Sequence, residues 1–301
     1  MISAALYTDP ACPWAYSAIP ALRALEWRYG EGLDWRLVVI GLTERASQYV
    51  ERGYTPLRGA RGQAEFRDRF GMPFAATPKA RVAGTSRACR LIVAARIDDP
   101  GAEWRVMRAL QLANFTTTML LDEDRDLAAA LGEVPGVDGE SLVARIDDDD
   151  VVAAYERDRA EARTAAGSAA ELQGKTATTD GPVRFTAPSL LLERDGVRLV
   201  AGGWQPLAAY DVCVANLDPR LRREAPPDGP EPLLRRFPDG LTTQEVAVLL
   251  ARDNDDPDSE AAERALLELA ADGRAARIPL ASDALWRATQ AEVSRAARPH
   301  P

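Results

Sequence analysis

The chain has a single histidine, His300, beside its last residue, Pro301. One terminal imidazole excludes a Ser-His-Asp triad, a Cys-His protease pair and a histidine-built zinc site. Lysine is almost as scarce: Lys79 and Lys175 stand alone, so 35 of the 37 basic residues are arginine. That bias reads as codon usage in GC-rich DNA. The 46 acidic residues leave a net charge of −9, which argues against an extended phosphate-binding surface and hence against nucleic acid. Cysteine is limited to Cys12, Cys89 and Cys213. A sparse, odd set argues against a disulfide scaffold and suits a reducing cytosol. No run approaches the ~20 apolar residues of a membrane span. Met1 to Tyr7 lacks a basic n-region and a long apolar h-region, so it reads as a first strand, and a cytoplasmic location is expected.

What is there is a globular composition, 46% hydrophobic and 28% charged over 301 residues, enough for one large domain or two ordinary ones. Residues 2 to 8 form an apolar strand pattern, broken by Asp9-Pro10-Ala11-Cys12-Pro13. A helical pattern from Trp14 to Tyr29 is predicted to kink at Pro20 and end at Gly30. Leu33 to Leu42 is a second strand, which makes a βαβ unit with a parallel pair. Helices are predicted over 59–70, 85–97, 103–115, 122–131, 140–146 and 150–166, and a loop over 167–181. A β-hairpin follows, Ser189 to Glu193 and Val197 to Ala201 around Arg194-Asp195-Gly196, then a helix from Gln205-Pro206 to Asn216. Beyond a proline-rich stretch lie three more predicted helices, 233–237, 242–252 and 259–272, and a hairpin over 274–280 and 283–289.

Strand, helix, strand, helical block, hairpin, helix: the order resembles a thioredoxin fold with a helical insertion. Asp9-Pro10-Ala11-Cys12-Pro13-Trp14-Ala15-Tyr16 after the first strand, Ala187-Pro188-Ser189 before the hairpin, and Val200-Ala201-Gly202-Gly203-Trp204-Gln205-Pro206 before the last helix carry the likeness. Over residues 2 to 218 the chain resembles the DsbA family, nearest its FrnE-like and 2-hydroxychromene-2-carboxylate isomerase-like branch. The resemblance implies an α/β thioredoxin fold, a thiol–disulfide oxidoreductase and a cis Pro188 opposite Cys12. It also implies a substrate groove shaped by Pro13, Trp14, Ala15, Ala187 and Pro188.

The chemistry of Cys12 has its own basis. A sulfur at a helix start meets unpaired amide N–H groups and the positive end of the helix dipole, so a depressed pKa and a reactive thiolate are expected. The plainer alternative is a small buried hydrophobe. The second cysteine of the family's Cys-x-x-Cys is Ala15 here, so no local sulfur resolves a mixed disulfide at Cys12. Cys89 and Cys213 fall on predicted amphipathic helices, as core residues.

Three functions follow from these residues. The first is a monothiol oxidoreductase in which Cys12 alone exchanges with a protein or small thiol. The second is a transferase or isomerase of the kappa-class glutathione transferase type, with glutathione or another low-molecular-weight thiol bound at the helix start. The third is a non-catalytic thioredoxin-fold binding module. No tightly bound cofactor and no metal is expected. The partner is a thiol or disulfide substrate, with no membrane, and a homodimer is left open.

Other motifs weigh less. Ala169 to Thr176 has the Gly-Lys-Thr of a phosphate loop but Ala169 in place of the first glycine, and no strand before it. Asp147 to Asp150 lacks calcium-loop spacing and reads as helix N-terminal charge. Residues 1–222 are expected to form the thioredoxin-fold domain, with its insertion at about 43–175. A proline-rich linker at 223–232 leads to a small, mainly α domain at 233–301. In that last segment Leu241-Thr242-Thr243-Gln244-Glu245-Val246-Ala247 resembles the start of a winged helix. Its nine arginines against twelve acids, a net of −3, argue for packing, dimerisation or a lid in place of DNA reading.

Overall fold

The computed structural model describes residues 1–252 and 255–289; His300 and the end of the expected C-terminal segment lie outside the described residues. The chain opens with β1 (Ile2–Thr8), α1 (Pro13–Ser17), α2 (Ile19–Tyr29) and β2 (Leu33–Val39). Eight helices follow: α3 (Ala46–Glu51), α4 (Pro56–Phe70), α5 (Ser86–Asp98), α6 (Ala102–Thr116), α7 (Asp124–Leu131), α8 (Gly139–Ala144), α9 (Asp149–Ala162) and α10 (Ala169–Leu172). A small ribbon, β3 (Thr176–Ala177) and β4 (Arg184–Phe185), leads to β5 (Ser189–Arg194), β6 (Val197–Gly202) and α11 (Leu207–Leu217).

The central sheet has the order β2-β1-β5-β6. β1 and β2 run parallel, with Leu6 opposite Leu37; β5 runs antiparallel to β1, with Leu6 opposite Leu190. Strand alternation divides β1 between two cores. Ile2, Ala4 and Leu6 enter the large core with α2, α5, α6 and α11. Ala5 and Tyr7 enter a smaller one with Cys12, Ala15 and Ala187. Sheet twist and crossover therefore bring the end of β1, the start of α1 and the turn before β5 to one edge.

Three expectations need correction. The single kinked helix is two helices. Pro20 has no N–H for a bond into the preceding turn, so the chain breaks at Ala18 and Pro20 sits in the first turn of α2, where that donor is not needed. The 167–181 loop contains α10, capped by the Ser168 hydroxyl on the Glu171 amide, and β3. The proline-rich linker also ends early, because Pro230 starts a helix. Its first half is held on α2: the Trp27 indole donates to Ala225 O at 2.9 Å, and Glu224 N to Arg28 O at 2.7 Å. The short helix α3 falls where no helix was predicted.

The C-terminal part comprises α12 (Pro230–Arg236), β7 (Leu241–Thr242), α13 (Thr243–Leu250), α14 (Ser259–Ala271), β8 (Ala275–Leu280) and β9 (Asp283–Ala288), with strand order β7-β9-β8. Leu233, Phe237, Val246, Leu266 and Trp286 form its core, together with Ala24 of α2. Arg108 of α6 reaches it with two bonds to Glu245, at 2.8 and 2.9 Å, and a third to Gly240 O at 2.6 Å. Glu245 is fully buried and also accepts the Thr242 amide at 2.7 Å, closing a capping box on α13. Burial pushes its carboxyl up, but the Arg108 charge and hydrogen bonds outweigh that and hold it below the usual range.

Candidate active site

Cys12 is the N-cap of α1, in extended conformation (φ −85°, ψ 115°), and Pro13 takes the first helical position without wasting a donor. The turn before it is built on Asp9. One oxygen of that buried carboxylate accepts the Ala11 amide at 2.9 Å; the other accepts the Leu42 amide at 2.9 Å and the Thr85 hydroxyl at 3.0 Å. The Cys89 thiol lies 3.5 Å from the same oxygen. Asp9 thus ties the active-site turn to the exit of β2 and the start of α5. Burial raises its pKa although four donors oppose the rise.

Facing Cys12 is the turn before β5. Its Ala187–Pro188 peptide is cis, and the Cys12 thiol donates to Ala187 O at 3.1 Å. Ser189 braces that turn from below, donating to Thr186 O at 2.7 Å and accepting the Gly203 amide at 3.1 Å. The structure therefore brings together Cys12, Pro13, Ala15, Ala187 and Pro188. Trp14 points outward, 39% exposed, with Phe66 edge-on at 4.9 Å, Phe70 at 5.7 Å and the Arg69 guanidinium 5.5 Å from its ring. Phe70 in turn meets Trp204 at 5.0 Å. These residues make an aromatic rim beside the sulfur.

The expected depression of the Cys12 pKa is overturned. Cys12 is only 6% exposed, and burial pushes its thiol up to about 12. The amides of Ala15 and Trp14 and the charge of Arg184 pull it down, as a helix start should, but desolvation and the Asp9 carboxylate win. At rest the sulfur is a protonated hydrogen-bond donor. Cys89 is fully buried and its thiol raised by burial; Cys213 is only partly buried. All three cysteines are free. Among the described residues no cluster of three metal-ligating side chains forms, and no helix is long and apolar enough to cross a membrane.

A family model described as the DSBA-like thioredoxin domain matches residues 5–166. The chain belongs to that family. Two solved structures share the fold of this DSBA-like protein. One, a Nitrosomonas europaea protein described as a protein disulfide isomerase, is 16% identical with a TM-score of 0.52, covering 72% of this chain and 95% of its own. The other, a Streptomyces coelicolor protein described as a DsbA oxidoreductase, is 16% identical with a TM-score of 0.53, covering 73% of this chain and 91% of its own. No curated protein matches the chain.

Sequence reasoning named Cys12 and the turn at 187–188 but missed Asp9, Thr85, Ser189 and Arg184 as parts of the site. Asp9 stands three residues before Cys12, and an acid between a strand and a Cys-Pro start is a signal worth reading. Arg184 has no local signature. Its guanidinium is buried among Asp180, Thr179 and Phe185 O, partners that only the fold assembles.

Glycine is required at Gly41, just after β2. Its φ is +64°, and the Tyr155 hydroxyl occupies the space a Cβ needs while donating to Glu44 at 2.7 Å. Gly41→Ala is expected to cost about 1–3 kcal/mol from backbone strain and the displaced tyrosine. Denaturant unfolding measures it, and a loss under ~0.5 kcal/mol would show that the site has slack.

Proposed function

We propose that this DSBA-like protein catalyses thiol–disulfide exchange through Cys12 alone. The observation that carries this is the placement of the Cys12 sulfur, between the amide end of α1 and Ala187 O, with no second thiol in the helix. Two steps follow. Deprotonated Cys12 attacks a disulfide RSSR, forming Cys12–S–S–R and releasing RS⁻. A second, low-molecular-weight thiol R′SH then attacks that bond, returning the Cys12 thiol and yielding RSSR′. No electrons are gained or lost overall; the protein moves a sulfur bond between partners. Pro13 and Trp14 shape the approach, and the backbone at Ala187 and Pro188 lies where an extended substrate would pair. A compartment with a reduced thiol pool supplies R′SH, in keeping with three free cysteines.

Incubation with glutathione disulfide, followed by intact-mass analysis, tests the first step. One adduct on the wild type, released by added thiol and absent in Cys12→Ala, is the expected result. Lack of any adduct would leave a binding module. The rate also has a predicted pH profile. A thiol titrating at about 12 instead of ~8.5 has roughly 10³·⁵-fold less thiolate at pH 7, and its higher nucleophilicity recovers about 10¹·⁵. Iodoacetamide should therefore modify Cys12 roughly 10²-fold more slowly than free cysteine at pH 7. The rate should climb about tenfold per pH unit well beyond pH 9. An inflection near 8.5 or below would refute burial as the dominant cause.

One observation favours a second reading. A thiol that burial keeps protonated stays available as a donor and supplies little thiolate at neutral pH, so the Cys12 S–H and the α1 amides would suit a bound thiolate of a small thiol, in a transferase or isomerase. Turnover that survives Cys12→Ser would select this over exchange, which requires the sulfur.

A further inference from the structure

The cavity of about 420 Å³ between α2 and α6 is lined in part by Ala15, so it belongs to the site at Cys12. The α4 side of that site is an open surface instead. Helical periodicity sets Arg58, Gly62, Phe66 and Arg69 on one face of α4, with Gly59 and Phe70 at its margin. Phe66 and Phe70 meet Trp14 edge-on, and Arg69 lies over the Trp14 and Phe70 rings at 5.5 and 5.0 Å. This face therefore runs up to the residue two after Cys12. Its first half does nothing for the fold. A Cβ at Gly59 or Gly62 would meet nothing within 4 Å, so no packing inside the chain asks for glycine there, and each glycine weakens the helix relative to alanine. Arg58 also opposes the helix: it is a cation in the first turn, at the positive end of the dipole, with no acid there to offset it.

The charge of this stretch reverses that of the chain. Residues 45–70 hold six arginines and three acids, a net of +3, in a chain of net −9. Glu65 pairs with Arg61 at 3.3 Å and Asp68 with Arg67 at 3.1 Å, which leaves Arg45, Arg52, Arg58 and Arg69 with no carboxylate among the described residues. Arg58 bonds only Gly53 O, at 2.7 Å, and Arg52 only Thr179 O, at 2.9 Å. Tyr49 and the exposed Tyr54 stand between α3 and α4 with ring centroids 5.0 Å apart, and Tyr49 is within electrostatic reach of Cys12 and Asp9. Uncommitted guanidinium groups among aromatic rings take carboxylates flanked by apolar side chains. Because the rest of the molecule is acidic, it repels an acidic partner everywhere but here, which fixes where such a partner lands. From Arg58 to Phe70 the helix rises about 18 Å, the span of about five or six extended residues and longer than a small disulfide.

We propose that the Arg58–Phe70 face of α4, together with Trp14, docks an acidic polypeptide that lies extended along the helix and presents its disulfide to Cys12. This rests on exchange at Cys12 and names the substrate class, a protein disulfide flanked by aspartate or glutamate. The docking contact is noncovalent, so it is measured without the exchange step.

Fluorescence anisotropy tests it, with labelled cysteine-free peptides that carry phenylalanine and are rich in glutamate, serine or lysine, titrated with the full-length protein. The expected result is saturable binding of the glutamate-rich peptide, about tenfold tighter than the serine-rich one, and none of the lysine-rich one. That preference should shrink severalfold between ~0.05 and ~0.5 M salt. Arg58→Glu should weaken the glutamate-rich peptide about tenfold without lowering the Tm, since an acid in the first turn suits the helix dipole. Binding lost at an undiminished Tm is not unfolding. Equal affinity for the three peptides, or an Arg58→Glu protein that binds like the wild type, would overturn the proposal. So would an RNA oligonucleotide that binds as tightly as the glutamate-rich peptide, or self-association of the chain that excludes it. The glutathione disulfide adduct is read separately. An adduct without peptide preference keeps exchange and removes the docking surface; preference without an adduct keeps the docking surface and removes exchange.

Discussion

With Ala15→Cys, a mixed disulfide at Cys12 is released without any external thiol. Positions 12 and 15 are the N-cap and the third residue of α1. Helix geometry sets Cα atoms three residues apart at about 5 Å, inside the 4.4–6.8 Å range that a disulfide spans. The new thiol at position 15 attacks Cys12–S–S–R, closes an intramolecular disulfide and expels RSH. Ala15 is 2% exposed and borders the α2–α6 cavity, so one added sulfur has room. A positioned intramolecular thiol acts at an effective concentration of 1 M or more, so release should run on the order of 10³-fold faster than with ~1 mM external thiol. The closed 12–15 disulfide can then oxidise two substrate thiols to a disulfide and return to the dithiol, a step that needs a second sulfur in the helix. Stopped-flow release of a chromogenic thiol from the preformed adduct measures the effect. Release that still waits on added thiol would mean that the Cys12 sulfur does not face the helix interior.

Glu245→Ala should destabilise the protein by about 3–5 kcal/mol, the cost of leaving Arg108 charged, buried and unpaired. Both side chains are almost wholly removed from water, and Glu245 also accepts the Thr242 amide, so the change removes a capping bond as well. Replacing both partners, Arg108→Met with Glu245→Leu, should recover most of the loss, since no stranded charge remains. The pH dependence has a definite sign. A carboxyl held below its ordinary range stabilises the fold above that range, and the gain is lost as pH falls through its folded value. The gap between wild type and Glu245→Gln in urea unfolding is therefore widest near neutrality and narrows in acid. A gap that stays constant down to pH 3 would show that the pair carries no such linkage.

Residue order alone made much of the architecture legible. Apolar strands of seven and six residues, a Cys-Pro start and a proline before a hairpin fall where the thioredoxin fold needs them. These signals are local: alternation, capping and turn chemistry act over a few residues. Helix boundaries came within a few residues for α5 and α6, because their apolar spacing is regular. Pro20 was harder. A proline disrupts a helix either way, and whether the result is a kink or a break depends on what the flanking turns pack against.

Which force prevails at Cys12 was not legible. Sequence places it at a helix start, and that part of the inference stands, since the Ala15 and Trp14 amides do pull its pKa down. Sequence says nothing of desolvation, which depends on Ala187, Phe185 and the small core around Tyr7 closing over the sulfur. Nor does it show that Asp9, three residues away, turns inward to hold Leu42 and Thr85 and adds its charge to the same neighbourhood.

By itself, then, the order of residues determined the family, the position of the one sulfur at a helix start and the absence of a partner at position 15, all of which follow from bonds and contacts a few residues long. Tertiary structure alone decided that this sulfur rests as a thiol, that Arg108 and Glu245 weld the C-terminal part to α6, and that a cavity remains between α2 and α6. Each of those depends on desolvation or on groups far apart in the sequence, and burial is a property of the whole packed chain rather than of any segment in it.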